Sequence, residues 1–156
     1  MKDKFGDLLI SYDYDRFIKE VLIGGEYNFM RHYPVVVDIG ANIGAFSLSM
    51  LPYADKIYAI EPSEENLKNL KQTIADNNIN KIIPIQMAVS DKSWVQNMDA
   101  ESNPAKGGWT LSPGGKLPVD ARTLLDLFDS QNIIYADLVK IDVEGYEEKI
   151  LYTPLF

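Results

Sequence analysis

The chain has 156 residues, no cysteine and a net charge of -8, from 23 acidic and 15 basic side chains. This length predicts one domain with a hydrophobic core, and the lack of cysteine excludes disulfides, thiolate nucleophiles and cysteine-ligated zinc. The acidic balance argues against a nucleic-acid partner, and no signal peptide or membrane-spanning run is recognisable, so a cytoplasmic protein without a membrane partner is predicted.

Residues 1–33 are predicted to form an N-terminal helical cap on a core that spans residues 34–156. Within the cap, the apolar spacing of "DYDRFIKEVLI" predicts a helix over residues 13–23. In the core, apolar β-branched runs predict strands at "VVVDIG", "KIYAIEP", "KIIPIQMAV" and "ADLVKIDV". Helices are predicted at 45–51, 62–78, 121–131 and 145–151. This alternation predicts an α/β fold with a mostly parallel sheet and flanking helices.

The segment from Asp91 to Pro118 interrupts the alternation. It is rich in glycine and proline and contains two short strand-like runs, "SWVQNM" and "GWTLS", so a hairpin on the rim of the sheet is predicted. Trp94, Trp109 and Tyr146 are candidates to line a site for a flat acceptor. For the two tryptophans, packing within the hairpin is an equal alternative.

The stretch "VVVDIGANIGAF" joins the first core strand to a loop with Gly40, Asn42 and Gly44. Glycine permits a tight turn and close approach of a ligand, and asparagine tolerates a left-handed backbone. Polar side chains also follow the other strands, where ligands bind in open α/β sheets. Among them, Glu61 can hold both hydroxyls of a ribose, or it can serve only as a helix-initiating carboxylate.

The charge of this loop favours a cationic ligand over a pyrophosphate. Dinucleotide loops place glycine where this chain has Asn42 and seat a pyrophosphate at a helix N-terminus. Here Asp38 is expected at the mouth of the loop, and no lysine or arginine lies between Asp38 and Met50. S-Adenosylmethionine, with its ribose, sulfonium and ammonium groups, is the ligand that this pattern predicts.

Two longer blocks resemble a known family. "VVVDIGANIGAFSL" and "LVKIDVEGYEEKIL" are similar to the signature blocks of the FkbM-type methyltransferases, which are class I, Rossmann-like enzymes that use S-adenosylmethionine. "YAIEPSEENLKNLKQTIADNN", "IQMAVSDKS" and "VDARTLLDLF" resemble intervening segments of the same family. The resemblance covers approximately residues 33–151.

The resemblance implies a role for each strand end. The loop from Asp38 to Gly44 would surround the methionine part and the ribose, and Glu61 would hold the ribose hydroxyls. The segment from Ala88 to Asp91 would lie by the adenine, and Asp142 near the sulfonium. Members chiefly methylate hydroxyls of sugars and secondary metabolites.

The same resemblance implies a seven-stranded sheet, whereas this chain stops after its fourth major strand. A truncated methyltransferase domain that lacks the last strands is therefore predicted. The fourth strand would then be an exposed edge through which two copies can pair as a homodimer.

Transfer of a methyl group to a hydroxyl needs a base, and Asp142 or Glu144 is the predicted one. Glu147 is a further carboxylate near this strand. The alternative role for all three is to cap the following helix, and this alternative is stronger for Glu147 than for Asp142 or Glu144. His32 precedes the first core strand and is assigned to the surface or to packing. No third ligand accompanies Asp142 and Glu144, so no metal is predicted.

Three functions remain in competition at the level of sequence. The first is an active methyltransferase, and the second is a truncated cofactor-binding module without turnover. The third is an NAD-dependent oxidoreductase, which Asn42 and the acidic loop disfavour.

Overall fold

The computed structural model describes residues 3–5, 8–10, 31–100, 109–111 and 114–152. The strands are β1 (Asp3–Phe5), β2 (Leu8–Ile10), β3 (Val35–Ile39), β4 (Lys56–Ile60), β5 (Ile82–Ile85), β6 (Ala88–Val89), β7 (Trp94–Ala100), β8 (Trp109–Leu111), β9 (Leu117–Arg122) and β10 (Leu138–Ile141). The helices are α1 (Ala45–Ser49), α2 (Glu64–Asp76), α3 (Leu124–Ser130) and α4 (Glu147–Leu151).

The core of the fold is a four-stranded parallel sheet in the order β10-β3-β4-β5. β3 lies at its centre, paired with β4 along its whole length and with β10 from Val36 to Ile39. Since all four strands run the same way, their carboxyl ends meet at one edge of the sheet. This confirms the predicted α/β class and places the predicted site residues at a common edge.

Alternation along β3 and β4 divides the core into two apolar layers. Val36, Ile57 and Ala59 pack with residues of α1 and α2 on one face of the sheet. Val37 and Ile60 pack on the opposite face with residues of α3 and α4. Because successive side chains point to opposite faces, a strand buried on both sides must be apolar at nearly every position, as "VVVDI" is. The exception is Asp38.

The predicted rim hairpin is part of a larger second sheet, in the order β6-β9-β7-β8. β7 pairs antiparallel with both β8 and β9, and β6 pairs parallel with β9. Ala88, Met98, Val119 and Ala121 form a small buried cluster on it. The two short strands predicted between Asp91 and Pro118 are thus confirmed. The sequence did not reveal that β7 also pairs with β9.

Two predicted boundaries are wrong. The third core strand is broken after Ile85, and its second part, β6, joins the second sheet. Pro84 has no N–H to donate, which suits a strand with a neighbour on one side only. The helix predicted over 121–131 begins at Leu124, because Ala121 pairs in β9 and the Thr123 hydroxyl caps the helix by accepting from the Asp126 N–H at 3.1 Å.

The N-terminal segment is not wholly helical as predicted, since β1 and β2 form an antiparallel pair within it. Leu8 packs against the apolar layer that α1 and α2 cover. The helix predicted over 13–23 lies outside the described residues. Within the described residues β10 is an edge strand, as expected, with Val139 exposed at 37%. Pairing of two copies through this edge stays a prediction.

The space beside Gly40 and Gly44 is filled by the protein itself, rather than left for a ligand as the sequence predicts. A Cβ on Gly40 would lie 1.8 Å from the carbonyl oxygen of Asp142, and a Cβ on Gly44 would lie 2.4 Å from a methyl group of Leu70. The first obstacle is backbone at the end of β10, and the second is a flexible side chain. Gly40 is therefore required by the close approach of β10 to the loop.

Replacing Gly40 by alanine should destabilise the fold severely. The added methyl group would have to displace the end of β10, and the backbone angle φ of +77° is itself unfavourable for alanine. We expect a loss of about 3 kcal/mol in the free energy of unfolding, measured by urea denaturation.

Gly145→Ala is the matched control, because Gly145 has a φ of +94° but no atom within 4 Å of its ideal Cβ. This variant should lose only about 1 kcal/mol in the free energy of unfolding, which is the cost of a left-handed backbone for alanine. Equal losses for the two variants would show that the contact with Asp142 does not constrain the loop.

Candidate functional site

The loop after β3 folds over the end of β4. The N–H groups of Gly40 and Ala41 both donate to the carbonyl oxygen of Ile60, at 3.0 and 2.9 Å. Gly40, Asn42 and Gly44 have φ angles of 77°, 52° and 90°, all in the left-handed region. The prediction that Asn42 adopts this backbone is confirmed.

Asp38 is fully buried beneath this loop. Its Oδ2 accepts a hydrogen bond from the Ser47 hydroxyl of α1 at 2.7 Å. Its Oδ1 lies 3.2 Å from the Lys140 Nζ, close enough for an ion pair, but makes no hydrogen bond within the described residues. We take these two observations as a charge contact without hydrogen-bond alignment, which leaves an acceptor position on Oδ1.

The charges around the loop differ from those predicted from the sequence. Asp38 is fully buried rather than exposed at the mouth of the loop, and a cation accompanies it. That cation comes from β10, where Lys140 is the direct cross-strand neighbour of Asp38. Lys140 therefore offsets the charge of Asp38, so Asp38 cannot by itself discriminate against a pyrophosphate.

Glu61 holds the loop from the end of β4. Its Oε2 accepts from the Asn42 N–H at 2.8 Å, and its Oε1 accepts from the Ser63 N–H at 2.9 Å and from the Asn66 side-chain amide at 3.3 Å. It thus joins the loop to the start of α2, where the Ser63 hydroxyl caps the helix as predicted. Glu61 therefore has the predicted role at the start of the helix, and binding of a ribose would be a second role.

Counting hydrogen bonds from the described residues alone, the carboxylate of Glu61 retains one acceptor position. Two carboxylate oxygens offer about four lone-pair sites, and three are used here. Burial away from water raises the pKa of Glu61 above its ordinary 4.5, although hydrogen bonds from Ser63, Asn42 and Asn66 oppose the rise. A buried acceptor with spare capacity at a strand end is suited to a hydroxyl donor.

Asp142 and Glu144 follow β10 and are both exposed. The Asp142 carboxylate lies 3.4 Å from the Lys140 Nζ, and its backbone N–H donates to Ile39. Glu144 has a φ of 55°, which is unusual for a residue with a long side chain. Such strain persists where the surrounding structure imposes it, often at functional positions.

Glu147 has the local role that the sequence assigned to it. Although burial opposes ionisation, the pKa of Glu147 is held below its ordinary value by backbone hydrogen bonds, among them those from Val143 at 2.9 Å and Gly145 at 3.2 Å. Its carboxylate orders the turn that carries Glu144. Glu147 is therefore a structural residue of this turn.

Ala88 and Asp91 lie in and beside the second sheet. Ala88 is buried and pairs with Ala121, while Asp91 accepts a hydrogen bond from the Ser90 hydroxyl at 3.0 Å. The Gln96 side chain donates to that same hydroxyl. The contacts described for this segment are thus with the second sheet, and its assignment to an adenine stays a prediction.

The remaining sequence candidates lie on other elements of the chain. His32 contacts Asp55 at 3.0 Å on the surface ahead of β4, as expected for a residue before β3. Trp94 is 55% exposed on β7, so it is not packed inside the hairpin. A groove of about 370 Å³ lies along α2 and includes Leu67, Lys71 and Gln86.

The described residues offer neither a metal cluster nor a membrane-spanning helix. No cluster of three or more acidic or histidine side chains there could hold a metal ion. No helix in the same part of the chain is both long and apolar enough to cross a membrane.

Three residues of the site escaped sequence reasoning: Lys140, Ser47 and Asn66. Lys140 had a usable signal, because a lysine in the apolar run "LVKI" is unexpected in a strand buried by neighbours. Placing "LVKI" beside "VVDI" in parallel register sets Lys140 opposite Asp38. Ser47 and Asn66 lie on helices and carried no comparable signal.

The raised pKa of Glu61 predicts how stability changes with pH. The folded chain holds the Glu61 proton more tightly than the unfolded chain. The resulting stabilisation is complete below the unfolded pKa and is lost as the pH rises through the folded pKa. Against Glu61→Gln, which cannot titrate, the wild-type free energy of unfolding should therefore fall as the pH rises above the ordinary value of 4.5.

Urea denaturation at several pH values measures this difference. Glu65→Gln, which removes an exposed carboxylate from the first turn of α2, is the control. A difference between wild type and Glu61→Gln that stays constant as the pH rises would contradict the effect of burial.

Comparison with known proteins places this geometry in a family. Residues 38–153 match the model of the methyltransferase FkbM domain. The chain is 26% identical over 117 residues to the hexuronic acid methyltransferase AglP of Haloferax volcanii, which covers 75% of this chain and 48% of that protein. The chain therefore spans about half the length of this curated relative.

Solved structures are similar in fold. The methyltransferase FkbM from Methylobacillus flagellatus KT matches with a TM-score of 0.54 and 18% identity, over 91% of this chain and 33% of that one. The M. jannaschii protein TYW2, in complex with AdoMet, matches 60% of this chain and 52% of that one, with a TM-score of 0.43 and 21% identity. The matched family model covers most of the chain, and the fold agrees with it: this chain belongs to the FkbM methyltransferase family.

Proposed function

We propose that the protein to which this chain belongs is an S-adenosylmethionine-dependent methyltransferase that methylates a hydroxyl of a sugar or secondary metabolite. The observation that carries the proposal is the loop between Asp38 and Gly44, anchored by Glu61 at the carboxyl ends of the parallel strands. Ligands of open α/β sheets bind beyond the carboxyl ends of the strands, so we infer that this loop would hold the methyl donor.

The residues present fit this donor. The buried Oδ1 of Asp38 has an acceptor position suited to an ammonium group, and Glu61 has one suited to a ribose hydroxyl. Gly40, Asn42 and Gly44 would shape the loop around the methionine part. Ala88 and Asp91 would border the adenine. When bound, S-adenosylmethionine supplies an activated methyl group on a positively charged sulfur.

The protein's part in the reaction is to position the acceptor and to take its proton. Methylation of a hydroxyl requires that the hydroxyl proton pass to a base. The carboxylates of Asp142 and Glu144 are exposed beyond β10 and are the candidates. The left-handed backbone of Glu144 favours it, because residues held in such a conformation cluster at functional sites.

The relative AglP supports a sugar acceptor. Its name assigns it to hexuronic acids, and sugar hydroxyls need a base at neutral pH. The exposed Trp94 on β7 is a surface on which a sugar ring can stack. A binding module without turnover is the second candidate, since β10 is an edge strand within the described residues.

Calorimetric titration tests the cofactor. We expect S-adenosylmethionine and S-adenosylhomocysteine to bind and NAD not to bind. Glu61→Gln should weaken both adenosyl ligands about tenfold, because it removes a charged acceptor. The exposed Glu65→Gln should leave both affinities unchanged. Binding of NAD without binding of either adenosyl ligand would overturn the proposal in favour of an oxidoreductase.

Transfer of a labelled methyl group tests the base. On acceptors that contain hexuronic acid, Glu144→Gln should lower kcat by about 100-fold or more if Glu144 is the base. Asp142→Asn gives the same test for Asp142. Glu148→Gln, which changes an exposed carboxylate of α4, is the control. Binding without transfer to any hydroxylated acceptor would identify the binding module instead.

Glu144→Gly separates strain from catalysis. The variant should be about 1 kcal/mol more stable than Glu144→Gln, because glycine adopts a φ of 55° without strain. Both variants should lose methyl transfer to the same extent. A Glu144→Gly variant that keeps full activity would exclude Glu144 as the base.

A further inference from the structure

Lys140 is the charged residue of β10, where the other residues are apolar. Only 14% of its side chain is exposed. Its Nζ lies 3.0 Å from the carbonyl oxygen of Gly40, 3.2 Å from Asp38 Oδ1 and 3.4 Å from Asp142 Oδ2. One ammonium group therefore contacts the buried carboxylate under the loop, the first glycine of the loop and the carboxylate beyond β10.

These contacts give the three side chains a combined charge of −1. Asp38 is fully buried and Asp142 is 64% exposed, so the negative charges sit on either side of the cation at different depths. Since Lys140 is mostly buried, its field is screened weakly by solvent. A ligand charge at the ends of β3 and β10 would interact electrostatically with these three side chains.

We propose that Lys140 is a positioning residue that sets how strongly the site distinguishes S-adenosylmethionine from S-adenosylhomocysteine. The inference rests on the proposed function, because it assumes that these ligands bind at the loop. The two ligands differ by one methyl group and by one positive charge on sulfur. The carboxylates of Asp38 and Asp142 favour the positively charged S-adenosylmethionine, and Lys140 offsets their charge. Lys140 therefore keeps the affinity for S-adenosylmethionine closer to the affinity for the uncharged S-adenosylhomocysteine.

A series of charge variants gives this inference a graded test. Lys140→Met leaves the set at −2, Asp38→Asn leaves it at 0, and the double variant with both changes returns it to −1. Lys140→Arg also keeps it at −1. The readout is the ratio of the dissociation constant of S-adenosylhomocysteine to that of S-adenosylmethionine, measured by calorimetry.

We expect this ratio to rise about fivefold in Lys140→Met and to fall about fivefold in Asp38→Asn. It should stay within about twofold of wild type in Lys140→Arg and in the double variant. If Lys140 were merely structural, its replacement would weaken the binding of both ligands equally and leave the ratio unchanged. The ammonium group common to both ligands cancels in the ratio.

Thermal denaturation shows which variants fold, because Lys140→Met leaves Asp38 buried without its counter-charge. If that variant does not fold, the opposite shift in Asp38→Asn and its reversal in the double variant still decide the question. A ratio that is unchanged across the series, with wild type binding both ligands, overturns the role of Lys140 alone. If wild type binds neither ligand, the proposed function fails and this inference fails with it.

Discussion

The close approach of the end of β10 to the loop after β3 is the constraint on which the site depends. The carbonyl oxygen of Asp142 occupies the position that a Cβ on Gly40 would need. This contact brings together two segments of the chain that each carry a carboxylate. It also places the Lys140 Nζ within reach of the Gly40 carbonyl oxygen, so that one side chain fastens loop and strand.

A buried charge pair is costly to form and is more costly to break by removing one partner. Asp38 interrupts the most buried strand of the sheet, and Lys140 interrupts its neighbour at the opposite position. Apolar residues at both positions would pack without this penalty. A need for stability therefore does not explain two charges in such a place.

Glu61 combines support of the fold with a candidate binding role. The same carboxylate that orders the loop through Asn42 and the helix start through Ser63 has one acceptor position that no described residue uses. Local order and the candidate binding role therefore depend on one side chain. A ligand that donates to Glu61 would find the loop already arranged, which lowers the cost of binding.

Features that depend on local rules could be predicted from the sequence. Apolar runs indicated the parallel strands, Gly40, Asn42 and Gly44 indicated a turn with a left-handed backbone, and Ser63 marked a helix start. Which partners meet across the sheet depends on the fold as a whole. Lys140 and the loop it fastens are 100 positions apart, and no local pattern encodes the register of two parallel strands joined through other elements. For the same reason the break after β5 and the second sheet escaped prediction: pairing with distant strands overrode the local preference for one continuous strand.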